Sequence, residues 1–401
     1  MRNSPKIIYL HIGSPKTGSS FIQSSLANAE KTLADHKIHY PIDETESEKA
    51  RNGLITSGNF YPKPGAFTAL IERGRQSDLP GWLISSESIF QLLVREGSGF
   101  LDRISAECPD AEIKTLVYLR DPVDHVVSGY QQRVKRGGFT GTLADFMQSY
   151  RYPSETKTVL RQLRKCGADT TVLNYTRHKK NLLATFENWL GLVSGSLPRP
   201  PVNNINRSLT NSELKLQLIF NAHFGGLARR FVSDPLCHAL PDIKSETPPL
   251  SRDELTVFLE RMHSEMEDPE YLELVPAEEH PRPGEAEDYI ARFSNENRDD
   301  QFVFSADQIH AVAEALSDEL KRYEKRAGLS TAPAGTEPEN SDENRSIFIK
   351  ALWLSEQDDR AFDSAGSRAL AFNEERKEAA EKADMALGAL RSKGFVLKQS
   401  A

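Results

Sequence analysis

The sequence predicts an α/β protein: a parallel sheet flanked by helices, followed by a mainly helical C-terminal part. Two observations carry that expectation. Short apolar runs alternate with segments of helical period over the first half of the chain, the pattern of strand–helix crossovers. Beyond about residue 212 only helical patterns recur. With 401 residues, 38% of them apolar, the chain can bury one large core and carry additions.

Residues 6–40 read as a strand, a tight loop, a helix and a short strand at Ile38-His39-Tyr40. Residues 41–65 are polar and punctuated by Gly and Pro, which reads as a surface excursion over the site. Trp82-Leu83-Ile84-Ser85 reads as a buried strand, 100–108 as a helix, and 113–119 and 170–173 as further strands. Helices are expected over 212–231, 253–266 and 306–327. The stretch 265–288 is strongly acidic and reads as a solvated, mobile insertion. Residues 1–329 are thus expected to form one domain. Residues 330–344, rich in Pro, Ser, Thr, Asn and Glu, read as a linker, and 345–401 as a charged helical tail.

The most informative segment is His11-Ile12-Gly13-Ser14-Pro15-Lys16-Thr17-Gly18-Ser19-Ser20. It lies between the apolar run Ile7-Ile8-Tyr9-Leu10 and a helical pattern, the usual arrangement for holding a phosphate-like anion. Gly13 and Gly18 allow inward-facing amides, Thr17, Ser19 and Ser20 offer hydroxyls, and Lys16 adds a full charge. In nucleotide hydrolases the lysine directly follows the second glycine and the next hydroxyl holds Mg²⁺. Here Ser19 occupies that place and the lysine lies two residues before Gly18. No clean acidic partner for a metal follows a strand; Asp121, after Arg120, is the nearest candidate. The loop therefore suits an anion that needs less metal help than a triphosphate, and no metal is expected.

Pro15-Lys16-Thr17-Gly18-Ser19-Ser20 resembles the 5′-phosphosulfate loop of sulfotransferases that use 3′-phosphoadenosine-5′-phosphosulfate (PAPS). That family also has a strand ending in arginine with a serine eight positions later, matched by Arg120 and Ser128. Val172-Leu173-Asn174-Tyr175 is similar to its adenine-contacting tyrosine segment, although Thr176 stands where an acidic residue is common. The resemblance spans about residues 6–210 and implies a P-loop-type fold with PAPS as co-substrate. It implies 3′-phosphate binding by Arg120 and Ser128, and adenine contact by Tyr175. The implied acceptor is a hydroxyl of a carbohydrate or another molecule. Several carbohydrate-type members use a glutamate base after a strand, which here is Glu87, with Lys16 as the catalytic cation. The family's basic-glycine segment near the C-terminus is not visible.

The residues also admit plainer readings. An arginine at a strand end points into the ligand crevice of open α/β sheets, and its fork matches phosphate oxygens. It can equally pair with an acidic neighbour. Glu87 can cap the following helix, and His11 and His125 are rival bases or packed side chains. Arg207 is a further candidate for the 3′-phosphate. Arg133, Lys135 and Arg136 form a solvated helix end or one wall of an anionic acceptor site. A P-loop kinase or NTPase and a non-catalytic nucleotide- or oligosaccharide-binding relative remain as alternatives.

A formal net charge of −8 argues against a general nucleic-acid binder. Cys108, Cys166 and Cys237 lack metal or disulfide spacing. The first strand begins close to Met1 and no run approaches a membrane span, so the expectation is a cytoplasmic protein without a signal peptide. Oligomeric state is not legible.

Overall fold

Five strands form a single all-parallel sheet in the order β2-β3-β1-β4-β5 in a computed structural model of the chain. It describes residues 4–14, 16–54, 56–200, 207–293 and 302–326. Pro15, the expected linker 330–344 and the expected tail 345–401 lie outside the described residues. The described residues fall into two compact units, one drawn from 4–130, 143–200 and 248–293, the other from 131–142, 207–247 and 302–326.

The first unit holds the sheet. From β1 (Ile7–Ile12) the chain passes through α1 (Ser19–Ala27) and α2 (Glu30–Asp35) to β2 (Ile38–His39). It returns through α3 (Glu44–Arg51) and α4 (Ala66–Gly74) to β3 (Gly81–Ser86), beside β1. Helices α5 (Ser88–Glu96) and α6 (Gly99–Glu107) lead to β4 (Glu112–Leu119) on the other side of β1. Then α7 (Pro122–Gly137), α8 (Leu143–Gln148) and α9 (Tyr152–Lys165) precede β5 (Asp169–Asn174), followed by α10 (Tyr175–His178) and α11 (Leu182–Leu190). Because the chain leaves β1 toward one edge and β4 toward the other, their carboxyl ends flank the crevice where open α/β sheets bind ligands.

Central strands of a parallel sheet are covered on both faces and need near-continuous apolar sequence. All six residues of β3 are buried, as are Thr115 to Leu119 of β4. One face packs Leu83, Leu116 and Tyr118 against Ile22 and Leu26 of α1 and Phe186 and Leu190 of α11. These strands coincide with the apolar runs in the sequence.

Residues 41–65 do more than cross the surface. Asp43 caps α3 by accepting from the Glu46 amide, and residues 58–60 complete the sheet edge. β2 pairs only with Gly81 and Trp82, leaving the upper half of β3 without a strand neighbour on the side away from β1. Asn59 takes that place: its side chain donates to the Leu83 carbonyl and accepts from the Ser85 amide, both at 2.9 Å. Its backbone amide donates to the Ser85 carbonyl at 3.2 Å. Gly58, at φ 78°, approaches so closely that a Cβ would fall 1.8 Å from the Ser85 oxygen. Asn59→Ala leaves a buried carbonyl and a buried amide unpaired, each worth about 1–3 kcal/mol. A loss of about 2–4 kcal/mol in urea unfolding is the expected result, and a change below 0.5 kcal/mol would count against this edge.

The acidic stretch 265–288 is folded, contrary to the expectation of a loose insertion. After α14 (Arg252–Met266), helix α15 (Pro269–Leu274) lies along α9, joined by Lys157–Asp268 (3.1 Å), Arg161–Glu270 (2.6 Å) and Arg164–Glu273 (2.6 Å). The three cations recur at helical spacing, so one face of α9 meets the acidic run. Tyr271 and Val275 are each 1% exposed beneath it. Helix α16 (Ala286–Ile290) follows.

The second unit is built on α12 (Asn211–Phe224), α13 (Ser233–Ala239) and α17 (Ala306–Arg326). The helix expected over 212–231 breaks into a 3-10 turn at Gly225–Arg230. Leu216, Val232, Leu236 and Ala311 form the apolar core. Thr210 and Glu213 make a reciprocal capping box on α12. No helix among the described residues is long and apolar enough to cross a membrane.

Candidate active site

Strand register brings the candidate residues to one edge of the sheet. Ile12 pairs with Ser86 on one side and Val117 on the other, and Leu119 pairs with Asn174. The residues that follow these strand ends are Gly13, Glu87, Arg120 and Tyr175. All belong to the first unit.

The loop after β1 is shaped by backbone. The Gly13 amide donates to the Ser86 carbonyl at 3.2 Å. Lys16 (φ 66°) and Gly18 (φ 82°) are both left-handed with Thr17 between them, an alternation that turns successive amides inward. Gly18 is also the N-cap of α1 and places no side chain over the first turn. The amides of Thr17, Gly18, Ser19 and Ser20 make no hydrogen bond among the described residues. Such a helix start favours an anion. A Cβ at Gly18 would lie 2.6 Å from Leu182 and 3.2 Å from the Tyr175 ring, so Tyr175 rests against the loop.

The hydroxyls divide. Thr17, fully buried, donates its hydroxyl to the Ser14 carbonyl at 2.6 Å and so braces the loop. Ser19 lies inside the loop, with its Oγ 2.5 Å from where a Gly13 Cβ would be. Ser20 is half-buried.

Arg120 donates from Nη1 to the Lys16 carbonyl at 2.8 Å, and its guanidinium stands 5.5 Å from the Tyr175 ring centroid. Its Nε is buried without a hydrogen-bond partner among the described residues. The adjacent Asp121 is engaged elsewhere. One oxygen caps α7 through the Val123 and Asp124 amides, and the other accepts from Tyr289 at 2.6 Å. Burial raises the Asp121 pKa, an effect its Tyr289 hydrogen bond opposes. Ser128 is half-buried on α7 and makes no side-chain hydrogen bond among the described residues.

Glu87 stands at the N-cap of α5, yet its side chain makes no capping bond. Ser86 does that work, accepting from the Ser88 amide at 3.0 Å. The Glu87 carboxylate turns instead toward the loop, with its Cγ 2.9 Å from where a Gly13 Cβ would sit. Burial raises its pKa, while the Lys16 charge and the Ser19 hydroxyl pull it down.

The rival bases are structural. His11 is fully buried, bonds through Nδ1 to Ser85 Oγ at 2.8 Å, and is driven by burial to a pKa of about 3. His125 bonds to the Tyr150 hydroxyl at 2.9 Å and stacks on Tyr152 at 3.8 Å. Arg207 is also spent. It grips Glu213 through two bonds of 2.7 and 2.8 Å and donates to three carbonyls inside the second unit. Nor is the basic cluster a solvated wall. Lys135 is 3% exposed and donates to the Arg207 carbonyl, Arg136 pairs with Asp234, and Arg133 alone is exposed.

Three contributors escaped the sequence reading. Tyr152 bonds to Ser14 at the base of the loop, Tyr289 holds Asp121, and Glu279 accepts from the Asn174 amide while pairing with His178. Tyr289 and Glu279 lie in or beside the acidic stretch, where nothing local signals a return to the sheet. No protein-family model, curated protein or solved structure matches this chain.

Proposed function

We propose that this protein is a PAPS-dependent sulfotransferase with a P-loop-type anion loop, moving a sulfonate to an acceptor hydroxyl, most simply of a carbohydrate. One observation carries the reading: a lysine-bearing amide loop and a carboxylate that caps nothing face each other across Gly13. The resemblance of residues 15–20 and of Arg120 with Ser128 to that family supplies the nucleotide.

In this reading the amides of residues 17–20 and the Ser19 and Ser20 hydroxyls hold the 5′-phosphate and sulfonate. Arg120, with Ser128, receives the 3′-phosphate, and Tyr175 packs on or near the adenine. The acceptor oxygen forms a bond to sulfur as the bond from sulfur to the bridging oxygen breaks. Glu87 takes the acceptor proton, and Lys16 neutralises charge gathering on the bridging oxygen, which leaves with 3′-phosphoadenosine-5′-phosphate (PAP). A well-placed donor of this kind contributes ~3 kcal/mol.

Thermal melting with added ligand tests the assignment. A ligand present at 100 times its Kd stabilises the native state by ~2.7 kcal/mol, a shift of several degrees. PAP and PAPS should each produce it without Mg²⁺, and ATP, which lacks the 3′-phosphate, a smaller one. Consumption of PAPS on adding an oligosaccharide mixture would then identify the enzyme. A shift confined to ATP with Mg²⁺ would favour a kinase or NTPase and overturn the proposal.

A further inference from the structure

The base of the anion loop is fixed by a side chain from a distant helix. Tyr152 begins α9, is 4% exposed, and shares a hydrogen bond with Ser14 Oγ. Ser14 is itself fully buried, and its carbonyl accepts from Thr17. One loop residue is thus gripped twice, by its hydroxyl from outside and by its carbonyl from within. The tyrosine ring has little freedom. It stacks on His125 at 3.8 Å with 16° between planes, and on Phe90 at 5.9 Å with 25°. The phenol therefore ties the base of the loop after β1 to α7, through His125, and to α5, through Phe90.

We propose that Tyr152 is a positioning residue for the anion site, holding the Ser14 end of the loop in place so that it is set before ligand arrives. This rests on the reading of the loop as a nucleotide 5′-anion seat. The chemistry fits the task. Burial pushes the Tyr152 pKa up to about 12, so the phenol stays protonated at physiological pH. A preset loop spares the ligand the ordering cost of assembling it, which appears as affinity.

Calorimetric titration of PAP tests the proposal on four full-length proteins: wild type, Tyr152→Phe, Ser14→Ala and the double variant. Phenylalanine keeps the stack on His125 and Phe90 and removes only the hydroxyl. At a temperature where circular dichroism shows all four folded, each single variant should bind PAP about tenfold more weakly. The double variant should bind no more than twofold worse than either single, because both remove one bond. Single variants within twofold of wild type, or losses that multiply in the double, would overturn the positioning role. Should Tyr152→Phe not fold, Ser14→Ala decides by the same tenfold criterion. Wild type blind to PAP would remove the functional reading and this inference together, whereas wild-type binding with unaffected variants removes the inference alone.

Discussion

Lys16→Ala should lower sulfonate transfer by at least ~10²–10³-fold, the loss seen when one well-placed donor to a developing charge is removed. The fold should survive. Lys16 sits at φ 66° in a half-exposed loop, and alanine carries the same Cβ penalty there as lysine, so backbone strain is unchanged. PAP binding should weaken by no more than about tenfold, because the amides of residues 17–20 and Arg120 remain and the lysine acts chiefly on the breaking bond. Rate measurement with PAPS and PAP titration on the same preparation separate the two effects. Turnover near the wild-type level in folded Lys16→Ala would remove Lys16 from the chemistry.

Glu87→Gln should cost turnover ~10²-fold or more with PAP affinity nearly unchanged, since it keeps the shape and loses the proton acceptor. The same substitution should raise thermal stability above neutral pH. Burial raises the Glu87 pKa in the folded protein, so the native state holds that proton to higher pH than the unfolded chain does. The associated stability is fully present below the unfolded-state pKa and is lost as pH rises through the folded-state value. Glutamine escapes that loss, so the variant should melt higher than wild type at pH 8 and alike at pH 4. Wild-type activity should rise with pH through a pKa above the ordinary carboxylate range. An active variant with an unchanged melting profile would contradict both statements.

The sheet was legible because its strands are apolar on both faces; Trp82-Leu83-Ile84-Ser85 and residues 113–119 have few other uses in a chain of this polarity. The loop was legible because glycine, lysine and hydroxyls occur in a local string. Less visible were contacts closed by tertiary packing. The sequence does not show that the Thr17 hydroxyl is bonded to the Ser14 carbonyl. Arg207 counted as a phosphate ligand because a sequence does not reveal that Glu213, six residues on, returns as its partner. The acidic run looked unanchored because its cations, Lys157, Arg161 and Arg164, lie about a hundred residues earlier on another helix. Tyr152 gave no signal at all, since its hydroxyl meets Ser14 across 138 residues.

The covering of β3 by Asn59 also bears on how the protein behaves in concentrated solution. A strand edge with free amides and carbonyls invites a strand from another molecule, and an apolar one such as Leu83-Ile84-Ser85 is a ready template for aggregation. A single amide side chain closes the same hydrogen bonds without extending a strand to that end of the sheet. Asn59 thus shields that edge from self-association, and a variant that loses it should precipitate as ordered β-rich material at concentrations where the wild type stays clear.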